Sequence, residues 1–205
     1  PQAEEGQNSQ PEGTRTAEPA EVAPKAEGVD TTFRAGDHKL TGRWAIYEAP
    51  DLVTSHTDDL NPNQAYPAEL QPRERSRQAG REQIADLAAR FDPTLMGENP
   101  LAQHGAPIVG PDAVVESGNG RTITLRQLYE RDDPKADLYR AWLKRTAPGL
   151  GIEASELRGV KEPVLVRVRT TEMTPAERVE FTRAANARET AAMGAVEQAK
   201  VDAEK

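Results

Sequence analysis

Residues 114–129 read VVESGNGRTITLRQLY. The stretch opens with β-branched residues, which favour a strand. Two glycines then flank Asn119, and Leu125, Leu128 and Tyr129 follow at the spacing of one helix face. The pattern predicts a strand, a tight loop and a helix in that order.

The predicted loop has the chemistry of an anion site. Gly118 and Gly120 permit a positive φ and a close approach of the backbone to a ligand. The first turn of the following helix presents N–H groups at the positive end of the helix dipole. Arg121 adds a fixed charge with several donors, so the loop predicts phosphate as its ligand. A plain turn between two packed elements is the alternative that these residues leave open.

The composition indicates one folded domain with polar flanks. The 205 residues are 36% hydrophobic and 29% charged, and the mean hydropathy is −0.75. The chain has no apolar run near the length of a membrane span and no signal segment, so we expect a cytoplasmic protein without membrane contacts. The absence of cysteine excludes disulfides, thiolate nucleophiles and cysteine-ligated metals.

The net charge of −8 is unevenly distributed. Residues 1–30 contain seven acidic and two basic side chains, which accounts for −5 of the total. Residues 1–36 also contain few apolar groups, and this predicts a disordered acidic linker before a folded domain at 37–205. The remaining −3 argues against a generally basic, nucleic-acid-coating surface, so any basic groove is local.

Periodicity and capping signals place the other elements. The patterns predict strands at 40–47, 107–109, 113–116 and 163–169, and helices at 81–91, 122–131, from 133 onward, 175–188 and from 190 to the end. Asp133 before Pro134 is typical of a helix start, and Thr174-Pro175-Ala176-Glu177 is a capping box. The helix after Asp133 is expected to bury Leu138, Tyr139, Trp142 and Leu143.

A polar loop at 55–67 contains Ser55, His56 and Asp58. Neighbouring residues in a loop rarely converge into a catalytic triad, so a loop-bracing role for His56 is favoured over nucleophilic catalysis. The arginines of 73–81 are either a solvated face or part of a binding surface. The three histidines of the chain lie far apart, and no metal-binding spacing occurs.

Together these segments resemble the N-terminal domain of the ParB family, which has the ParB/sulfiredoxin fold. The resemblance is carried by Gln71-Pro72-Arg73, Pro107-Ile108-Val109, Glu116-Ser117-Gly118-Asn119-Gly120-Arg121, Pro163-Val164-Leu165-Val166 and Ala185-Asn186-Ala187-Arg188. The Ser55-His56 loop and Tyr66-Pro67 make the chain more similar to the ddrB-like ParB superfamily domain. The resemblance implies an α+β fold, with a small mixed sheet packed against helices.

The resemblance also implies one nucleotide-phosphate pocket. Its residues would be Gly118, Asn119, Gly120, Arg121, Arg73, Asn186 and Arg188. Asn186 would help to place a divalent cation, so the implied ligand is a nucleoside triphosphate with Mg²⁺. The ParB pattern has glutamate where this chain has Asn119 and Ala185. Both changes remove negative charge that could orient a cation or a water, which favours binding over hydrolysis. Glu116 and Glu189 are the candidate catalytic residues.

Three functions follow from the resemblance. The first is a nucleotide- or nucleic-acid-phosphate-binding domain in DNA transactions of a phage or mobile element, with antirestriction among its known contexts. The second is a metal-dependent nuclease or nucleotidase. The third is a non-catalytic adaptor within a large polyvalent protein. DNA or nucleotide and neighbouring domains are the expected partners, a homodimer is left open, and the expected location is the cytoplasm of a bacterial host.

Overall fold

The computed structural model describes residues 22–71 and 77–186. Its strands are β1 (Ala26–Ala35), β2 (His38–Glu48), β3 (Ile108–Val109), β4 (Val115–Ser117) and β5 (Pro163–Arg169). The described part of the chain has four α-helices, α1 (Arg77–Ala89), α2 (Asn119–Glu130), α3 (Pro134–Thr146) and α4 (175–186). The predicted α+β class is confirmed.

The strands form one mixed sheet in the order β1-β2-β5-β3-β4. The β1–β2, β2–β5 and β3–β4 pairs are antiparallel, and β3 runs parallel to β5. The central strand β5 is covered on both faces. Val164, Leu165 and Val166 are fully buried, and so is Arg167 on the same face as Leu165. β5 is therefore buried along its whole length except at Val168, which is partly exposed.

The predicted boundary between linker and domain is wrong. Residues 26–35, assigned to the linker, form β1, which pairs with β2 from Ala26 opposite Ile46 to Ala35 opposite His38. Phe33 is 1% exposed. A single aromatic residue in a polar stretch gave little local signal, because this strand is stabilised by its neighbour rather than by its own composition. Residues 1–21 lie outside the described residues.

The main core lies between the sheet and the helices α2 and α3. Leu125 and Leu128 of α2 pack there with Tyr139 and Leu143 of α3. Leu138 was expected in the same stripe but is 60% exposed. The buried face of α3 runs along the i, i+3 and i+7 positions that begin at Ala136, so the neighbouring position 138 turns about 100° away from the core. The prediction for Leu138 is wrong.

A second, smaller core joins the two ends of the described chain. Phe33 of β1 and Ile108 of β3 pack with Phe181 and Ala185 of α4. The rings of Phe33 and Phe181 lie 6.2 Å apart. The first strand and the last described helix therefore stabilise one another across the sheet.

Capping predictions agree with the structure. The Asp133 side chain accepts from the Lys135 N–H at the start of α3. At the start of α4, the Glu177 carboxylate accepts from the Thr174 N–H, and the Thr174 hydroxyl accepts from the Glu177 N–H. α2 begins three residues earlier than predicted, at Asn119. The helix expected from residue 190 lies outside the described residues.

No helix within the described ranges has the length and apolar content that a bilayer crossing requires.

Candidate functional site

The glycine loop joins β4 to the first turn of α2. Gly118 occupies the N-cap with φ +90°, a conformation that side chains rarely adopt. A β-carbon at Gly118 would lie 2.8 Å from Arg121 Nη2 and 3.1 Å from Pro107. Because the cap is a glycine, no side chain accepts from the first-turn N–H groups. The loop therefore places backbone donors, the positive helix end and an arginine side by side.

The Asn119 side chain holds a neighbouring loop in place. Its Oδ1 accepts from the Ser55 N–H at 2.7 Å, and its Nδ2 donates to the Val115 carbonyl at 3.1 Å. The Gln71 side chain donates to the Ser55 carbonyl at 3.1 Å. The structure thus brings Ser55 and Gln71 to the glycine loop. Arg73, two residues beyond Gln71, lies outside the described residues.

The loop at 55–67 shows no catalytic triad among its described residues. Ser55 Oγ lies 3.0 Å from His56 Nδ1, but Ser55 itself is 2% exposed. Asp58 instead faces Arg126, with 3.4 Å between Oδ1 and Nη1. This supports the bracing role expected for His56.

Two arginines on different elements concentrate positive charge beside the loop. Arg121 Nη1 donates to the Gln103 carbonyl at 2.7 Å. Arg167 is completely buried, and its guanidinium donates to the carbonyls of Asn99, His104 and Ala106 at 2.5 to 3.1 Å. Burial in the first place, and the positive charge of Arg121 in the second, lower the pKa of Arg167 to about 9. The Arg167 guanidinium stays protonated at neutral pH, because its pKa remains above 7 and carbonyl dipoles surround the charge.

Arg167 was missed as a site residue at the sequence level. In the sequence Arg167 alternates with valines in a strand, and this pattern does not indicate a binding role. No carboxylate among the described residues lies within ion-pair distance of Arg167. The only sequence feature that pointed to Arg167 was the presence of an arginine in a strand that proves to be central in the sheet.

Glu116, a candidate catalytic residue, lies at the centre of a buried ion cluster. It is the extra residue of a bulge between β3 and β4, and its side chain is 0% exposed. Arg169 Nε and Nη2 each donate to one of its oxygens at 2.9 Å, and Arg178 Nε donates to Oε1 at 2.7 Å. Arg178 also binds Asp112 through two hydrogen bonds of 2.8 Å. With both oxygens bound to guanidinium groups, Glu116 is placed to hold the loop and not to act as a base.

The ion cluster occupies the space that a side chain at Gly110, in the preceding turn, would fill. A β-carbon at Gly110 would lie 2.5 Å from Asp112 Oδ1, 2.6 Å from Arg178 Nη2 and 2.8 Å from Glu116 Oε1. The glycine of the Gly110-Pro111-Asp112 turn therefore leaves room for the charged groups.

Asn186 lies next to the strand that carries the loop. Its Nδ2 donates to the Glu116 carbonyl at 3.1 Å and to the Thr182 carbonyl at 2.6 Å. The structure therefore brings Asn186 and the residues 116–121 together, as the resemblance implied. Arg188 and Glu189 lie outside the described residues.

The described residues contain no group of three histidine, aspartate or glutamate side chains that could hold a metal ion. An open cleft of about 350 Å³ lies elsewhere, between the 57–63 loop and the C-terminal half of α2, where Asp58, Glu130 and Glu162 line it with Arg126. Arg126 is already bound to the carbonyls of Ala49 and Leu52 and to the Thr54 hydroxyl. This cleft is distinct from the glycine loop.

One of three comparisons with known proteins gave a match. A search of curated proteins and a search of solved structures gave no match. The family model of the ddrB-like ParB superfamily domain matches residues 35–170, which is more than half of the chain and contains the glycine loop, the Ser55 loop and β5. The chain belongs to the ddrB-like ParB superfamily domain family.

Proposed function

We propose that the glycine loop binds the phosphate of a nucleotide or nucleic acid. The observation that carries the proposal is the arrangement at the start of α2, where a glycine N-cap at φ +90° lies against Arg121 and the buried Arg167 stands close behind. Each of these features favours the binding of an anion: the backbone donors, the helix N-terminus and the two cations. Family membership supports the same reading, since the domain is ParB-like.

Binding is proposed without a hydrolytic step. The Glu116 carboxylate is bound by two arginines. The Asn119 side chain is hydrogen-bonded to the backbone of Ser55 and Val115. The described residues lack a carboxylate set for a metal. A Mg²⁺ ion would therefore enter with the phosphates of a nucleoside triphosphate, and Asn186 is the described residue proposed to lie near it. We assign no chemical step to that ion.

The proposed setting is a DNA transaction of a phage or mobile element. In this setting the domain would bind phosphate, and neighbouring domains of a larger protein would recognise the DNA sequence. The net charge of −8 suits a local phosphate contact better than a broad nucleic-acid surface.

The test is a thermal-shift series on the full chain with ATP, GTP, CTP and UTP, each with and without Mg²⁺. A ligand at about one hundred times its Kd stabilises the fold by about 2.7 kcal/mol, which raises the Tm by several degrees. We expect at least one triphosphate to raise the Tm, and we expect Arg121→Ala to abolish the rise relative to its own unliganded Tm.

The matched control is Arg131→Ala, at the opposite end of the same helix. Arg131 is exposed and is expected to leave the ligand-induced rise unchanged. A fluorescein-labelled single-stranded oligonucleotide tested by anisotropy separates nucleic acid from free nucleotide. The proposal fails if neither the triphosphates nor the oligonucleotide bind, or if Arg121→Ala binds as well as the unmodified chain.

A further inference from the structure

A second cleft lies at the end of the sheet remote from the glycine loop. Its volume is about 210 Å³, and it is enclosed by α3 and the segment from 154 to 163. Pro163 at its edge begins β5, whereas Arg169 at the other end of β5 contacts Glu116 beside the loop. Six steps of about 3.3 Å along a strand separate the two sites by roughly 20 Å. The cleft is therefore independent of the proposed phosphate site.

The rim of this cleft is basic. Arg140, Lys144 and Arg158 surround it. Arg140 is held in place, because its Nε donates to the Lys161 carbonyl at 3.0 Å and its guanidinium carbon lies 4.6 Å from the centre of the Tyr129 ring.

The rim charge is only partly compensated. Arg140 Nη1 donates to the exposed Asp137 carboxylate at 2.9 Å. Lys144 and Arg158 take part in none of the ion pairs formed among residues 22–71 and 77–186. Arg158 makes only a 3.3 Å contact to the Ser155 carbonyl. Two cations of the rim are thus available to an anionic partner.

The floor of the cleft is apolar. Leu143 is fully buried, Leu157 is 7% exposed, and Val160 packs against the main core from the surface. Gly159, with φ +87°, has no atom within 4 Å of the position of a β-carbon, so the chain leaves the mouth of the cleft open. The space suits one branched aliphatic side chain.

We propose that this cleft binds an acidic peptide segment of a partner protein or domain. One leucine or isoleucine of the segment enters the cleft, and flanking carboxylates face Lys144 and Arg158. The basic rim selects a negatively charged partner, and the apolar floor selects an aliphatic side chain as the anchoring residue. A nucleic acid fits this site less well, because the floor offers no groups that read base edges and the neighbouring Tyr129 ring is covered by Arg140.

The experiment is a titration of the full, ¹⁵N-labelled chain with the heptapeptide Gly-Asp-Glu-Leu-Asp-Glu-Gly, followed by amide chemical shifts. We expect shifts confined to α3 and residues 154–163. The same peptide with serine in place of leucine is expected to bind about tenfold more weakly, since the anchoring side chain is lost.

The double variant Lys144→Glu with Arg158→Glu is expected to weaken peptide binding at least about tenfold, because two charge contacts become repulsive. The matched control, Lys39→Glu with Arg90→Glu, makes the same change in net charge at two exposed positions outside the cleft. We expect the control to bind like the unmodified chain. The proposal is overturned if the amide shifts do not change at millimolar peptide, or if the Lys144/Arg158 variant binds the peptide fully. It is also overturned if a twelve-nucleotide thymidine oligomer displaces the peptide from the cleft.

Discussion

Arg167 organises the candidate site although its own side chain is fully buried. Its donors bind three carbonyls of the segment 99–106, and this fixes the same segment whose Gln103 carbonyl accepts from Arg121. The ring of Phe33 lies 5.3 Å from the Arg167 guanidinium carbon. Carbonyl dipoles and an aromatic face solvate the buried guanidinium, and no carboxylate of the described residues lies in ion-pair contact with it, so its positive charge is not neutralised beside the glycine loop.

Replacement of Arg167 by leucine is expected to destabilise the protein strongly. The change leaves the carbonyls of Asn99, His104 and Ala106 without their donor, and each buried unsatisfied acceptor is costly, so the expected loss is about 2–4 kcal/mol. Urea denaturation followed by circular dichroism measures it. Arg90→Leu, which disturbs only an exposed pair with Asp86, should change the free energy of unfolding by less than about 1 kcal/mol. A loss for Arg167→Leu no larger than that of the control would contradict the assigned role.

The two loop glycines are expected to respond in opposite directions to alanine. Gly118→Ala forces a side chain into φ +90° and against Arg121 and Pro107, which should cost about 1–3 kcal/mol. Gly120 lies inside α2, and a β-carbon there would make only ordinary van der Waals contacts, with Leu87 at 3.4 Å, Ile84 at 3.6 Å and Gln83 at 4.0 Å. Gly120→Ala should be neutral or stabilising by up to about 1 kcal/mol, because alanine favours a helix. Thermal melts of both variants test this, and equal Tm losses would show that the left-handed cap is not what distinguishes Gly118.

At the scale of elements, the contact between α4 and β4 depends on charge. Arg178 bridges from α4 to Asp112 and Glu116, while Asn186 bonds the Glu116 carbonyl. Burial opposes the ionisation of Asp112, but the hydrogen bonds and charge of Arg178 outweigh it, so the pKa of Asp112 is lowered. The helix that carries Asn186 is thus held to the loop-bearing strand through an ion pair that needs an ionised carboxylate.

Acid is therefore expected to weaken the contact of α4. Because the folded-state pKa of Asp112 is depressed, its contribution is complete above its unfolded pKa of about 3.9 and is lost as the pH falls through the lower folded value. Urea melts between pH 7 and pH 2.5 should show stability falling below about pH 4, with a shallower fall for Asp112→Asn. Asp137→Asn is the control, since that carboxylate is 81% exposed and pairs only at the surface. Indistinguishable pH slopes for Asp112→Asn and the unmodified chain would show that the Asp112–Arg178 pair does not hold α4 to the strand.

Local chemistry explains which elements the sequence reveals. Some features depend only on neighbours within a few residues and can be predicted from the sequence. They are the capping residues Asp133 and Thr174, strand β5 and the left-handed glycine at position 118. β1 and the outward turn of Leu138 depend on which surface the rest of the chain offers, so local patterns misplace both. The candidate site divides in the same way. The loop is predictable, whereas the roles of Arg167 and Arg178 follow from residues 50 or more positions away.

At the scale of the whole molecule, the second core closes the fold between its first strand and its last described helix. Phe33, Ile108 and Phe181 come from β1, β3 and α4, and they pack directly against the sheet face that carries Arg167. The main core alone, with α2 and α3 on the sheet, would leave this face uncovered. β1, which lies within the predicted linker, is thus part of the structure that supports the loop.

Phe33→Ala is expected to destabilise the whole domain by about 3–5 kcal/mol, since it removes a fully buried aromatic ring from a small core. The matched control is Val29→Ala on the same strand, where the side chain is 55% exposed and the change should stay within about 0.5 kcal/mol. Urea denaturation gives both values, and amide exchange shows where protection is lost. Because Phe33 contacts Phe181 and covers Arg167, protection should fall in α4 and in residues 99–106 as well as in β1. If exchange increased in β1 alone, β1 would be an added edge strand, and the support of the glycine loop would have to come from β5 and α4 without it.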